Sequence, residues 1–102
     1  MARAAFGDVT PKLAELTDDL LYGEIWQGSA LSARDRSIAT VAALVMLSRP
    51  EQLEFHIDLA LDNGVTRDEL VEIITHLAFY GGWPAGVSAA SAARRAFAAR
   101  VR

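Results

Sequence analysis

Hydrophobic positions recur every three or four residues along nearly the whole chain. Nowhere do they alternate in the two-residue rhythm of a strand bounded by hairpin turns. The pattern predicts an all-α protein. Thr10-Pro11 reads as the start of the first helix, with proline at the first helical position, where its missing N–H costs nothing. Leu13, Leu16 and Leu20 follow at helical spacing, and the segment runs through LLYGEIWQG to a break at Gly28. Ser32 is placed to cap the next helix, with Asp35 three residues later as in a capping box. That helix carries IATVAALVML at 38–47, apolar nearly all round, which predicts burial on most sides.

Ser48-Arg49-Pro50 ends that helix and begins another, in which Leu53, His56, Ile57 and Ala60 share one face. Asn63-Gly64 is a C-terminal stop, because glycine takes the left-handed conformation at little cost. Thr66 and Glu69 then form a T-x-x-E capping box. The following helix carries Leu70, Ile73, Ile74 and Leu77, with Glu69, Ile73, His76 and Tyr80 as a stripe at its polar edge. Gly81-Gly82-Trp83-Pro84 breaks the chain, and Pro84 is suited to open a last helix, AGVSAASAARRAFAA. Small side chains let helix axes approach closely, so this is read as a packing helix.

Length and composition narrow the picture. The 102 residues fit a single domain, 1–102. A monomer of this size buries only about two-thirds of the surface that its unfolded chain exposes. With 52% hydrophobic residues the chain has more apolar material than that easily hides, so a homo-oligomer is expected. The net charge of −3 and the lack of a phosphate-neutralising basic patch argue against nucleic acid. The basic run RRAFAARVR is read as a helix end whose arginines complement the macrodipole. No membrane partner is expected, because the run 38–47 is about half the ~20 residues that a spanning helix needs. MARAAFGDV lacks the apolar region of a secretory signal, and there is no cysteine for disulfides, thiol redox chemistry or cysteine zinc sites. A cytoplasmic location is the expectation. The two histidines have none of the usual zinc spacings, so no metal is expected.

A few polar residues remain to carry chemistry. His56 lies on an apolar stripe, where burial would lower its pKa and favour a neutral ring able both to donate and to accept. That suits proton transfer near neutral pH, and a hydrogen-bonded core histidine is the alternative. His76 has Glu72 four residues before it and Tyr80 four after, both within hydrogen-bonding reach on a helix. Arg36 precedes the apolar run and needs an anionic partner, from Asp35, Glu24 or Glu51 or from a carboxylate ligand. Trp26 and Trp83 each adjoin a glycine-marked break, as junction packing or as pocket walls.

Y-G-x-I-W at 22–26, R-D-R-S at 34–37, H-x(7)-G-V-T-R-D-E-L from His56 and H-L-A-F-Y-x-G-W-P from His76 occur in one order. In that order and spacing they resemble the carboxymuconolactone decarboxylase family over roughly residues 10–98. The resemblance implies the all-helical alkylhydroperoxidase D-like bundle, assembled as a trimer or hexamer. It also implies cofactor-free loss of CO2 from 4-carboxymuconolactone or a related lactone or 3-oxo acid, in aromatic compound degradation. It implies roles for His56, Arg36, His76 and Tyr80, taken as catalytic, and for Trp26, with no cofactor; Trp26, Glu24 and Trp83 are expected to bind the substrate. Peroxidases of the same superfamily use C-x-x-C-x-x-x-H. Here Arg49 and Gln52 stand at the cysteine positions and His56 at the histidine, so thiol peroxidase activity is not expected. Trp83 stands where the characterised decarboxylases tend to carry a smaller residue. The competing readings are a non-catalytic oligomeric scaffold or a small-ligand binder.

Overall fold

A computed structural model describes residues 1–100. The elements are α1 (Ala2–Phe6), α2 (Pro11–Glu15), a π-helix (Leu16–Ile25), α3 (Ala33–Met46), α4 (Pro50–Asp62), α5 (Arg67–Gly81) and α6 (Trp83–Arg100). The described residues form no strand, as the periodicity requires. The chain divides into two compact units, Met1–Ala33 and the remainder from Arg34.

In the first unit Pro11 does open a helix, but it is the second, because α1 precedes it. Asp18 explains α1. Its carboxylate accepts from the N–H of Ala2 at 2.8 Å and of Arg3 at 3.2 Å, and pairs with the terminal ammonium at 3.4 Å. A residue distant in sequence thus satisfies donors that a helix start leaves open. The same bonds, that from Ala2 foremost, lower the Asp18 pKa. Arg3 reaches Asp19 at 2.8 Å. Beyond Glu15 the helix widens into ten residues of π-helix, and the Trp26 N–H continues the longer-reach bonding to the Leu21 carbonyl at 2.9 Å. Leu13, Leu16, Leu20, Leu21 and Ile25 remain between 40% and 55% exposed.

The second unit has an apolar core. Val41 and Val45 from α3 join Leu53, Ile57 and Ala60 from α4, Leu70 and Ile74 from α5, and a row of alanines from α6. α6 packs on both α4 and α5, with Ala85, Gly86, Ala89, Ala92, Ala93 and Ala96 buried. A Cβ on Gly86 would stand 2.7 Å from that of Ala78, which is why small residues are needed here. The expected packing helix is therefore present. The run 38–47 buries less than its composition predicts: Val41 and Val45 face the core, while Met46 and Leu47 are 44% and 59% exposed.

Junctions follow local chemistry. At the end of α4, the Val65 N–H reaches the Ala60 carbonyl at 2.9 Å and the Gly64 N–H reaches Leu61 at 3.2 Å, with Gly64 at φ 97°. This is a Schellman stop. The end of α3 repeats it through Arg49 to Leu44 at 3.1 Å and Ser48 to Val45 at 3.2 Å, but Ser48 occupies the left-handed position at φ 54°. The Thr66–Glu69 capping box forms in both directions, at 3.1 and 2.9 Å. Ser37, fully buried on α3, accepts from the Asn63 amide at 3.0 Å.

The C-terminal arginines do more than complement a macrodipole. Arg100 donates to Asp58 at 2.5 Å and Asp62 at 2.9 Å, and Arg95 pairs with Glu54 at 3.2 Å. These acids recur every four residues along α4 and form a ladder against α6. Arg67 lies 4.7 Å over the Phe97 ring. No helix among the described residues is long and apolar enough to cross a membrane.

Candidate functional site

α5 begins at its capping box, and helical spacing then places Glu69, Glu72, Ile73, His76 and Leu77 along one wall. Ile38 and Ala42 of α3 complete an open cleft of 460 Å³. Its floor is apolar, and its polar groups are two carboxylates and an imidazole. Glu69 is fully engaged: it accepts from the Thr66 N–H and pairs with Arg34 of α3. The backbone bond from Thr66 and then the Arg34 contact hold its carboxyl below the usual range. Glu72 makes no ion pair or hydrogen bond among the described residues.

His76 was expected to reach Glu72 or Tyr80. Its described contact is with the Tyr80 ring, with centroids 5.0 Å apart at 42°. Tyr80 itself is 70% exposed. Trp83 packs edge-on against Phe79 at 5.3 Å and lines a separate hollow of 190 Å³ with Ile74, Ala78 and Val87. His76 and Trp83 therefore belong to different concavities.

His56 sits at the edge of the buried face of α4. Leu53, Ile57 and Ala60 are fully buried, whereas His56 is half-buried, with Nδ1 inside and the Phe55 ring edge-on at 5.1 Å. Burial lowers its pKa, as the sequence argument anticipates. Arg36 is half-buried in the first turn of α3, and its carbonyl accepts from the Thr40 hydroxyl at 2.9 Å. The 460 Å³ cleft is lined by His76 but not by His56, Arg36 or Tyr80. Trp26 and Glu24 belong to the N-terminal unit, where Trp26 packs on Tyr22 at 5.7 Å and Glu24 is exposed.

Sequence reasoning passed over Arg34 for its neighbour Arg36. R-D-R-S offers two arginines, and only the packing of α3 beside α5 reveals that the first pairs with Glu69. It also treated Glu72 only as a neighbour of His76. The opposing wall, Ile38 and Ala42, carries no spacing signal linking it to α5.

Comparison with known proteins adds a second kind of observation. The model of the carboxymuconolactone decarboxylase family matches residues 11–95. The chain is 40% identical over 76 residues to a 4-carboxymuconolactone decarboxylase of Acinetobacter baylyi, covering 74% of this chain and 57% of that protein. It is 32% identical over 75 residues to the nitrosuccinic acid decarboxylase npaB of Metarhizium robertsii, covering 74% and 52%. The chain thus spans little more than half the length of these curated relatives.

Proposed function

Because the chain belongs to the carboxymuconolactone decarboxylase family, we propose that it is a carboxy-lyase acting on a small organic acid. The substrate is 4-carboxymuconolactone or a related lactone or 3-oxo acid, and no cofactor is used. The observation that carries this reading is similarity to two proteins named as decarboxylases of different acids. What such acids have in common is an electron-withdrawing group near the departing carboxylate.

In a carboxylated unsaturated lactone the C–C bond to the carboxylate breaks, CO2 leaves, and the electron pair moves onto the conjugated carbonyl. Collapse of that enolate takes a proton at carbon. The protein's tasks are to hold the anion, stabilise the developing oxyanion and deliver the proton. Arg36 is assigned to the substrate carboxylate, since its guanidinium fork matches two oxygens. His56 is the general acid. Burial disfavours its charged form, so an incoming carboxylate that offsets that penalty favours the protonated ring in the complex. His76 or Tyr80 donates to the carbonyl oxygen, while Trp83 binds the body of the substrate. The working form is a trimer or hexamer in the cytoplasm. Support for assembly comes from the exposed leucines of the first unit and from Phe79, at 73% exposure.

The test is CO2 release, followed with ultraviolet absorbance, from 4-carboxymuconolactone and a panel of lactones and 3-oxo acids. Turnover of at least one is expected, with loss in His56→Gln and Arg36→Gln. Failure to turn over any of them would replace the enzyme with a small-ligand binder.

A further inference from the structure

Resting on the carboxy-lyase reading, we propose that Ser37 and Asn63 are positioning residues for that reaction: the hydrogen bond between them holds the Arg36 guanidinium where it meets the substrate carboxylate. Ser37 is the one fully buried polar residue among the described residues. It opens a line of buried positions along α3, Ser37, Val41 and Val45, in which the other two are apolar. An alanine would fill that place with no polar group to satisfy, so the hydroxyl calls for a reason. The side-chain amide of Asn63 donates to its Oγ at 3.0 Å.

What the bond joins supplies the reason. Asn63 is the C-cap of α4, two turns beyond His56 and, at i+7, on the same face. Ser37 directly follows Arg36 near the start of α3. The bond therefore ties the helix that carries the carboxylate anchor to the helix that carries the acid. Arg34, on the other side of Arg36, pairs with Glu69 of α5. Arg34 and Ser37, three residues apart, share a face of α3, and Arg36 lies off it. Apolar contact through Val41 and Val45 is non-directional and leaves the roll of the helix loosely set. Two polar contacts on one face fix that roll, and with it the direction in which Arg36 leaves the helix. Asn63 is only half-buried and can take water as its partner, so cutting the bond frees the roll without emptying the core.

The experiment measures Kd for γ-butyrolactone-γ-carboxylate by titration calorimetry on the full chain. This saturated lactone acid has no conjugated carbonyl to take up the electron pair, so it does not react. The wild type should bind it, and Arg36→Gln should weaken binding. Ser37→Ala and Asn63→Ala should each raise Kd about two- to tenfold, the fold-change that corresponds to one hydrogen bond. The double variant should bind no more weakly than the weaker single variant, because all three remove the same bond. Ala92→Gly weakens α6 instead, and should lower Tm while leaving Kd as it was. On the best substrate of the panel, the loss in Ser37→Ala should fall on KM, with kcat retained. Wild-type affinity in both single variants overturns the proposal, as do additive losses in the double variant. An equal loss in Ala92→Gly also overturns it, since the effect would then be one of stability. A wild type that does not bind the lactone acid, or that binds it no better than Arg36→Gln does, overturns the anchor and the link together. A substrate panel without turnover would overturn the lyase reading, while the positioning of Arg36 stands on the binding result.

Discussion

Residues 1–33 fully bury only Ala2 and Ala14, whereas the unit beginning at Arg34 buries side chains from four helices around Ile57 and Leu70. The first unit is tied by the Asp18 carboxylate and the Arg3–Asp19 pair, and it leaves a row of leucines in solvent. The second is tied by apolar contact and tight alanine packing, with ion pairs at its half-exposed surface, among them the ladder between α4 and α6 and the Arg34–Glu69 pair between α3 and α5. Both units are helical and similarly rich in apolar residues, so amphipathic periodicity alone does not say where a core forms. A core requires that apolar stripes on different helices face one another, as those of α3 to α6 do.

The largest effect that would break this contrast comes from cavity formation. Ile57→Ala removes a side chain with no solvent exposure and should cost about 2–5 kcal/mol in urea denaturation. Leu20→Ala, at a site 45% exposed, should stay within about 0.5 kcal/mol in dilute solution. Equal losses would show that the first unit has a core of its own.

Overpacking is the next test. Gly86→Val pushes a side chain into Ala78 across the α5–α6 contact and should cost about 1–3 kcal/mol, read as a lower Tm. An unchanged Tm would mean that α6 is loosely seated. In the opposite direction, Ser48→Gly relieves a non-glycine residue at positive φ and should stabilise by about 1 kcal/mol. The smallest effect on global stability is expected from Asp18→Asn. It should speed hydrogen exchange at the amides of Ala2 and Arg3 while leaving protection around Leu70 as it was. Uniform loss of protection would mean that the two units unfold together.

What the sequence revealed depended on the range of the interaction. The Thr66–Glu69 box and the Asn63-Gly64 stop are set by neighbours within a turn, and both were legible. The alanine helix was legible because composition alone permits close approach. α1 was not, because its N-terminus is capped by Asp18, sixteen residues beyond Ala2. The π-helix was missed because Leu13, Leu16 and Leu20 satisfy an α-helical count equally well. At the site, the lowered pKa of His56 was legible from its apolar neighbours, though its half-burial was not. The cleft joining Ile38 and Ala42 to Glu72 and His76 depends on the pairing of two helices, which spacing within one helix does not encode.

The central claim is that His56 supplies the proton that replaces CO2. Its most direct test is kcat/KM for CO2 release as a function of pH, with the best substrate of the lactone and 3-oxo acid panel. Because kcat/KM reports the free enzyme, the wild-type rate should fall as pH rises through a pKa below the ordinary imidazole value of about 6.5. His56→Gln should lose about a hundredfold or more in rate, together with that limb of the profile. A His56→Gln protein that keeps the wild-type rate, or keeps the same pH limb, would contradict the account.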